Sequence, residues 1–414
     1  MRAIIVGGGI GGFAAALSLH EKGITADVFE QSMRVRELGV GINTLPHAIK
    51  ELAAMGLLEA LDADGIRTAE LIYTNRFGQE IWREPRGRDA GYDFPQFSIH
   101  RGKLQGVLAR AARQRLGARR IHTGHQLIDF DATVKGVTAR FKRRRKDDIV
   151  TVRGDILIGA DGIHSAVRGH FYPDEPPPSW NGIMLWRGAV EREPFMTGRS
   201  MIVAGGMAAK FVLYPISNQV ATPGNQLVNW AVAVKFGDGS SPPPRREDWN
   251  RQGDLEELLG HVKGLFHLDV LDPVELIRST PEFFEYPMCD RDPLPRWSFG
   301  RVTLLGDAAH PMYPVGSNGA SQAILDARCL ERLLPGAVSV EAALKAYEAE
   351  RLAVTADIVR QNRGGGPERV IDVIEERAPD GFDDISDIAA PAELEAIVKG
   401  YSQLAGFDKT QVNR

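Results

Sequence analysis

Residues 3–6, Ala-Ile-Ile-Val, form a short and wholly apolar run that is broken at once by Gly7-Gly8-Gly9-Ile10-Gly11-Gly12. A run of that length and polarity suits a parallel strand covered on both faces. Residues 13–20 then carry a helical pattern that closes near Lys22-Gly23, and residues 26–29 form a second strand-like run. Strand, glycine turn, helix, strand is a βαβ unit, whose crossover is expected to be right-handed. In the Gly7-x-Gly9-x-x-Gly12 spacing, Gly7 permits the tight turn and Gly9 lets the backbone approach a pyrophosphate. Gly11 lies in the same turn, and Gly12 permits close packing of helix on strand. Free N–H groups and the positive end of the helix attract phosphate. Glu30 closes the second strand, where a carboxylate can accept the hydroxyls of a ribose. A purely structural glycine turn is the alternative. With both strands and Glu30 in place the pattern predicts a bound dinucleotide, without choosing FAD over NAD.

The remaining chain reads as an α/β unit with an insertion. Helical patterns cover residues 46–58 and 101–116, whereas 184–190, 201–203, 209–214 and 227–234 are β-rich and separated by turn- or Pro-containing segments. Residues 237–246, with three consecutive prolines, are expected to form an exposed loop. A short apolar strand over 301–305 leads into Gly306-Asp307, and helices are expected over 319–334 and 340–359. Residues 366–414 look helical and acidic, with no identifiable chemistry. Lys and Arg number 50 against 54 Asp and Glu, a net charge of −4, so neither nucleic acid nor an anionic membrane is an expected partner. The basic run 142–146 lies between strand-like residues 137–141 and 149–152 and is read as a solvated hairpin tip. Cys289 and Cys329 stand far apart in no CxxC arrangement, which disfavours a disulfide framework or a cysteine zinc site and suggests a reducing, cytoplasmic compartment. There is no apolar stretch of about 18 residues, and the glycines interrupt the apolar start too early for a secretory leader.

Two further motifs follow the glycine turn. One is Asp161-Gly162-Ile163-His164-Ser165-Ala166-Val167-Arg168, and the other is Gly306-Asp307-Ala308-Ala309-His310-Pro311. Their order resembles the glycine, DG and GD motifs of the flavoprotein aromatic hydroxylases, the para-hydroxybenzoate hydroxylase superfamily of FAD monooxygenases. The resemblance spans residues 1–330. Leu38-Gly39-Val40-Gly41-Ile42-Asn43, Ser98-Ile99-His100-Arg101-Gly102, Tyr286-Pro287-Met288 and Asp290-Arg291-Asp292-Pro293-Leu294-Pro295 are similar to phenazine-hydroxylating members.

The resemblance implies a Rossmann-like FAD-binding domain over 1–70, 97–175 and 289–365. It implies an inserted, mostly antiparallel β-sheet domain for substrate over 71–96 and 176–288, and a C-terminal helical segment over 366–414. It implies FAD as cofactor, NAD(P)H as transient donor and molecular oxygen as co-substrate. The substrate would be a small aromatic or N-heteroaromatic compound, hydroxylated through a C4a-hydroperoxyflavin. A flavin oxidase or a flavin-bound redox protein on the same scaffold is the alternative reading. No metal is implied, and no HExxH-type spacing occurs among the 10 histidines. Monomer and homodimer remain open.

Residue by residue, the resemblance places Gly7, Gly9, Gly11, Gly12 and Glu30 on the nucleotide, with Arg36 near the adenosine or in a surface salt bridge. Val40, Gly41, Leu127, Arg101 and Gln105 fall at the flavin. Asp161, Gly162 and Arg168 would tie the pyrophosphate side to the nicotinamide path, unless Asp161 merely starts a helix. Gly306 and Asp307 would meet the ribityl chain, Asp307 as hydrogen-bond acceptor. Pro314, Gly316, Ser317, Asn318, Gly319 and Ala320 would present backbone N–H groups to the flavin ring. Ser317 and Asn318 stand where the family more often has Gly and Gln. The substrate wall is expected from Ile42, Met184, Trp186, Tyr214, Pro314 and Val315. Candidates for a catalytic group are His47, His100, His310 and Tyr214, each weighed against a structural role.

Overall fold

The computed structural model describes residues 1–34, 40–244, 248 and 251–414. Arg2–Val6 lies inside a six-stranded sheet whose order is Ser298–Phe299, Val302–Leu304, Ile156–Gly159, Arg2–Val6, Thr25–Glu30 and Ile121–Thr123. All neighbours are parallel except the antiparallel edge Ser298–Phe299. Ala3, Ile4 and Ile5 have no exposed surface, as an apolar run covered on both faces requires. Helix Ile10–Glu21 packs between Gly319–Leu333 and Arg101–Leu116, which explains why it has scarcely any polar face. A Cβ on Gly12 would lie 2.0 Å from the Gly7 carbonyl oxygen, so this helix approaches the turn closer than any side chain allows.

The second layer is a seven-stranded sheet in the order Phe283–Asp290, Ser179–Arg192, Gln226–Lys235, Ala209–Ser217, Ser200–Ala204, Glu70–Thr74 and Glu80–Pro85. Only the pair Ser200–Ala204 and Glu70–Thr74 is parallel. Each of the four β-rich segments read from sequence falls in one of these strands. One face of the sheet carries Trp186, Phe211, Trp230 and Met184, packed against residues of helices Leu255–Val262 and Pro273–Arg278. Because successive side chains point to opposite faces, the alternate residues look toward the first layer.

The helix expected over 46–58 breaks at Met55 and Gly56 into Pro46–Ala54 and Leu58–Asp64; Gly56 has φ +68°, which a helix cannot contain. The helix expected over 101–116 is Arg101–Leu116. The basic run lies at a hairpin between Gly136–Arg143 and Asp148–Gly154. Its tip is not wholly a solvated face, since Arg144 lines the central cavity described below. The C-terminal residues form helices Arg369–Arg377, Pro391–Leu404 and Lys409–Val412. Ile371, Ile374, Leu394 and Val398 pack on Leu71, Tyr73, Met201 and Val203 of the second sheet. Among the described residues, no helix is long and apolar enough to cross a membrane.

Candidate active site

A cavity of about 820 Å³ opens where Arg2–Val6, Thr25–Glu30 and Ile156–Gly159 end at their carboxyl termini, the usual place for a ligand in an open parallel sheet. Gly7 has φ +105°, and a Cβ there would stand 2.2 Å from the Ala160 carbonyl oxygen, so only glycine turns the chain here. Helix Ile10–Glu21 begins at Gly9 without a side-chain cap, and nothing lies within 4 Å of where a Gly9 Cβ would sit. Its first-turn N–H groups are therefore offered to the cavity. Glu30 lines the same wall, its carboxylate oriented by N–H donation from Gly8 and Ser32, each at 2.7 Å. Gln105 donates from Nε2 to the Gly8 carbonyl at 2.6 Å and so braces the turn.

The other two motifs meet this wall from the neighbouring strands. Gly162 and Asp161 line the cavity, but the Asp161 carboxylate accepts from Ser165 Oγ at 2.5 Å and from the Ala166 N–H at 2.7 Å. Asp161 thus starts the short helix Ala166–Phe171. Arg168 does not line the cavity. Its guanidinium is buried against Glu175 at 2.5 Å and donates to the carbonyls of Ala308 and Ala309 at 3.3 and 3.1 Å. It pins the loop that carries Asp307 instead of pairing with Asp161. Asp307 lines the cavity, and among the described residues no protein group donates to its carboxylate. Asp307 is exposed to the open cavity, yet the protein around it pushes its pKa up, while the charges of His310 and Arg101 pull it back. Arg101 also faces the cavity and is set there by donation of its backbone N–H to the Val40 carbonyl at 2.9 Å.

Pro314, Ser317, Asn318, Gly319 and Ala320 line the cavity as a loop entering helix Gly319–Leu333, whose N-terminus also lacks a side-chain cap. Gly316 and Ser317 both take left-handed backbone angles, φ +64° and +57°. Gly316 itself faces away, and a Cβ on it would meet the Tyr401 hydroxyl at 2.5 Å and its ring at 2.6 Å. Asn318 donates from Nδ2 to the Tyr401 hydroxyl at 3.0 Å, and that hydroxyl donates to Asn362 Oδ1 at 2.7 Å. Tyr401 comes from the C-terminal segment, where no chemistry was expected. The sequence gives no signal for it, since only tertiary packing brings the helix to the loop.

Beyond this loop the cavity extends into a small apolar pocket that shares Asn43, Arg187, Tyr214, Pro314 and Ser317 with it. The pocket wall is the inward face of the second sheet: Ile183, Leu185, Val212, Ala231 and Ala233, with Val315 and Met288. Ile42 and Tyr214 line the main cavity as expected. Met184 and Trp186 do not reach either space. They point into the core on the opposite face, where Trp186 Nε1 donates to Glu285 at 3.3 Å. Strand alternation decides this: the odd-numbered neighbours of that strand face the cavity and the even-numbered ones do not. Arg187 was missed in the sequence reading, and the signal that could have found it is that it is the one charged residue in the run Ile183 to Gly188.

His47 lies buried behind the loop, its pKa lowered to about 3 by burial and then by the Arg351 charge, so it is a poor proton acceptor. His310 is buried and bound to Asp326 at 2.6 Å. The His100 ring accepts the Gly102 N–H at 3.2 Å and so caps its own helix. Of the candidate groups, Tyr214 reaches the cavity, and burial raises its pKa while Arg187 opposes the rise. Gly12 and Val40 act from behind the wall, and Leu127 and Gly41 line it. A Cβ on Gly41 would stand 2.7 Å from the Tyr214 ring, so the chain passes that ring as bare backbone. Arg36, Leu38 and Gly39 lie outside the described residues.

Two uncapped helix N-termini, a ribose-ready carboxylate and an acceptor without a donor form one continuous cleft, and this donor set fits FAD. Residues 1–185 and 283–362 match the family described as FAD binding domain. Over 363 residues the chain is 44% identical to the phenazine 1,6-dicarboxylic acid hydroxylase PhzS of Lysobacter antibioticus, covering 87% of this chain and 88% of that one. The chain belongs to the FAD-dependent aromatic hydroxylases. It is 31% identical to 3-hydroxybenzoate 6-hydroxylase 1 of Aquipseudomonas alcaligenes, with 87% of each covered. In fold it is similar to Klebsiella pneumoniae HpxO complexed with FAD and uric acid, at a TM-score of 0.73 and 23% identity, over 100% of this chain and 96% of that one. This aromatic hydroxylase is an FAD-dependent monooxygenase that uses NAD(P)H and oxygen on a small aromatic compound. The relatives are hydroxylases, in keeping with that reading and not with an oxidase or a redox carrier.

Proposed function

We propose that this hydroxylase acts on a flat, carboxylated N-heteroaromatic compound of the phenazine class. The observation that carries this reading is the pocket beside the flavin loop, an apolar sheet face of Ile183, Leu185, Val212, Ala231 and Ala233 bordered by Asn43, Arg187, Lys210, Tyr214, Ser317 and Glu368. Such a wall suits a flat ring system, and polar groups at the rim fix its orientation. The 44% identity to a phenazine dicarboxylate hydroxylase supports the same class.

FAD, when bound, supplies electron transfer from NAD(P)H and the activation of oxygen. The protein's own residues hold and shield the reactants. The N–H groups at Gly9 and Gly11 would receive the pyrophosphate, Glu30 would accept from the ribose hydroxyls, and Asp307 would accept from a ribityl hydroxyl, with Arg101 on the same cavity wall. The N–H groups of Gly319 and Ala320 would face the ring, on a loop whose shape is held by Tyr401 and Asn318. Tyr214, protonated at neutral pH, donates a hydrogen bond to substrate and does not act as a base. The second sheet and its neighbours exclude water from the reacting ring. The division into FAD-binding residues 1–70, 97–175 and 289–365 and substrate-binding residues 71–96 and 176–288 belongs to this reading, supported by the two separate sheets. A cytoplasmic monomer or homodimer is its natural setting, supported by two buried free thiols.

The test is NADH and NADPH oxidation by the FAD-loaded enzyme with phenazine-1-carboxylate, phenazine-1,6-dicarboxylate and 3-hydroxybenzoate. Stimulated oxidation together with gain of one oxygen atom by a phenazine supports the reading. Turnover of the benzoate alone would remove the phenazine class and leave the hydroxylase assignment intact.

A further inference from the structure

Strands Ser200–Ala204 and Ala209–Ser217 pair antiparallel and turn through Gly205-Gly206-Met207-Ala208. Three restraints fix this tip. Gly205 has φ +77°, and a Cβ there would stand 2.3 Å from the Ala209 carbonyl oxygen. A Cβ on Gly206 would stand 2.1 Å from Asp372 Oδ1, so helix Arg369–Arg377 meets the tip at bare backbone. The same Asp372 oxygen accepts the Met207 N–H at 2.7 Å. The backbone at Met207 is therefore settled by the C-terminal segment.

Met207 lines the apolar pocket together with Gly206, Lys210 and Glu368. It packs against the cluster that holds Ile183, Leu185, Met288 and Val315, and its sulfur lies 3.8 Å from Lys210 Nζ. Lys210 is itself buried and paired with Glu368, which holds the cation in place at the thioether. Met207 is half-buried, whereas Ala208, one residue on, is exposed and does not line the pocket. A single side chain stands between the pocket and solvent at this end.

The sheet register shows what lies along the way. Arg187, at the junction with the main cavity, stands opposite Ala231, and Ala231 opposite Val212. Leu185, Ala233 and Lys210 form the next inward row, and Ile183 begins the row after it. Ile183 stands opposite Lys235, whose N–H donates to the Ala208 carbonyl at 3.0 Å. The rows thus run from the flavin side to the hairpin tip. The strand from Arg187 to Ile183 spans about 13 Å at the usual rise per residue. Such a wall suits two or three fused rings lying along it.

We infer that Met207 is the end stop of the substrate pocket and sets the length of ring system that this hydroxylase accepts. The inference deepens the phenazine reading and rests on it only for the tricyclic and tetracyclic probes. An unbranched thioether fills an irregular gap and imposes no strict shape, so volume at this one position fixes the limit. A smaller residue lengthens the pocket, and a bulkier, stiffer one shortens it.

Binding to the FAD-loaded enzyme can be followed by the change in flavin absorbance for four acids of increasing length. These are 3-hydroxybenzoate, 3-hydroxy-2-naphthoate, phenazine-1-carboxylate and a tetracyclic benzophenazine carboxylate. A misfit of one methylene in an apolar pocket is worth roughly 10- to 200-fold. Met207→Ala is accordingly expected to bind the tetracyclic acid ~10-fold or more tighter than wild type does. Met207→Trp is expected to weaken phenazine-1-carboxylate ~10-fold or more and to leave 3-hydroxybenzoate within ~3-fold. Met207→Leu, of similar volume, should keep the wild-type order, and so should Ala208→Ser outside the pocket. Flavin content and melting temperature report whether each variant has folded, and the alanine arm decides if the tryptophan variant has not.

Short and long acids that change together, or not at all, would make Met207 a packing residue and overturn the end stop. Phenazine binding by wild type that ignores both substitutions leaves the phenazine class standing and removes the stop. A naphthoate that loses ~10-fold to Met207→Trp, where wild type binds no phenazine, upholds the stop and removes the phenazine class. Failure of all four acids to bind overturns both.

Discussion

Asp307 meets the cavity with no protein donor among the described residues, whereas Asp326 is enclosed by His310 at 2.6 Å, Arg351 at 2.8 Å and the Gly306 N–H at 3.0 Å. Asp307 belongs to the turn Gly306–Ala308, Asp326 holds that turn from helix Gly319–Leu333, and the two make opposite predictions. Asp307→Ala is expected to weaken FAD retention by ~10- to 100-fold, the worth of one hydrogen bond to a charged group, with little change in the fold. Flavin released on dilution measures it, and unchanged retention would count against the ribityl role. For Asp326, burial alone raises the pKa, but the charges and hydrogen bonds of His310 and Arg351 outweigh it and hold the group at about 2. A folded value below the unfolded one contributes stability that is complete above about pH 4 and is lost as the pH falls toward 2. Asp326→Asn is expected to cost about 3–5 kcal/mol at neutral pH by leaving Arg351 buried without its partner. The gap from wild type should narrow below about pH 4, as read from urea unfolding across pH.

Elements act through which of their faces is turned inward. On strand Ser179–Arg192, Met184 and Leu185 are neighbours with different duties, one in the core and one on the pocket wall. Met184→Ala is expected to lower stability by about 2–5 kcal/mol and leave KM for the aromatic substrate nearly unchanged. Leu185→Ala should raise KM with a smaller loss of melting temperature. The reverse outcome would mean that the strand faces the other way. Helix Pro391–Leu404 works similarly at a distance, because Tyr401 reaches the flavin loop through Asn318. Tyr401→Phe removes two hydrogen bonds worth about 0.5–1.5 kcal/mol each. It is expected to change the flavin absorbance envelope and the rate of NAD(P)H oxidation as well as melting temperature, whereas a purely structural tyrosine would alter only the last.

At the scale of the whole molecule, the two large sheets hold the cavity between them, closed from behind by the C-terminal residues. Ile371, Ile374, Leu394 and Val398 cover Leu71, Tyr73, Met201 and Val203, and Glu368 and Tyr401 reach the site from the same segment. A chain ending at residue 365 would expose that apolar face and leave Lys210 without its carboxylate. It is expected to be aggregated or flavin-free on purification, and a soluble, yellow, active truncation would show the segment to be dispensable.

The glycine turn, Glu30 and the DG and GD stretches were legible because each is a local device: a left-handed angle, a close approach or a strand end needs particular residues at fixed spacing. The helix over 101–116 and the β-rich middle were legible from period alone. Period could not say which face of Ser179–Arg192 meets the cavity, so Met184 and Trp186 were expected where Leu185 and Arg187 stand. Nor could motif order show that Arg168 holds the Asp307 loop instead of facing the cleft. Sequence by itself determined the nucleotide-binding half and the cofactor. Tertiary structure decided the substrate wall, the placing of Met207 at its end and the part played by Tyr401, because all three depend on which distant surfaces are buried against one another.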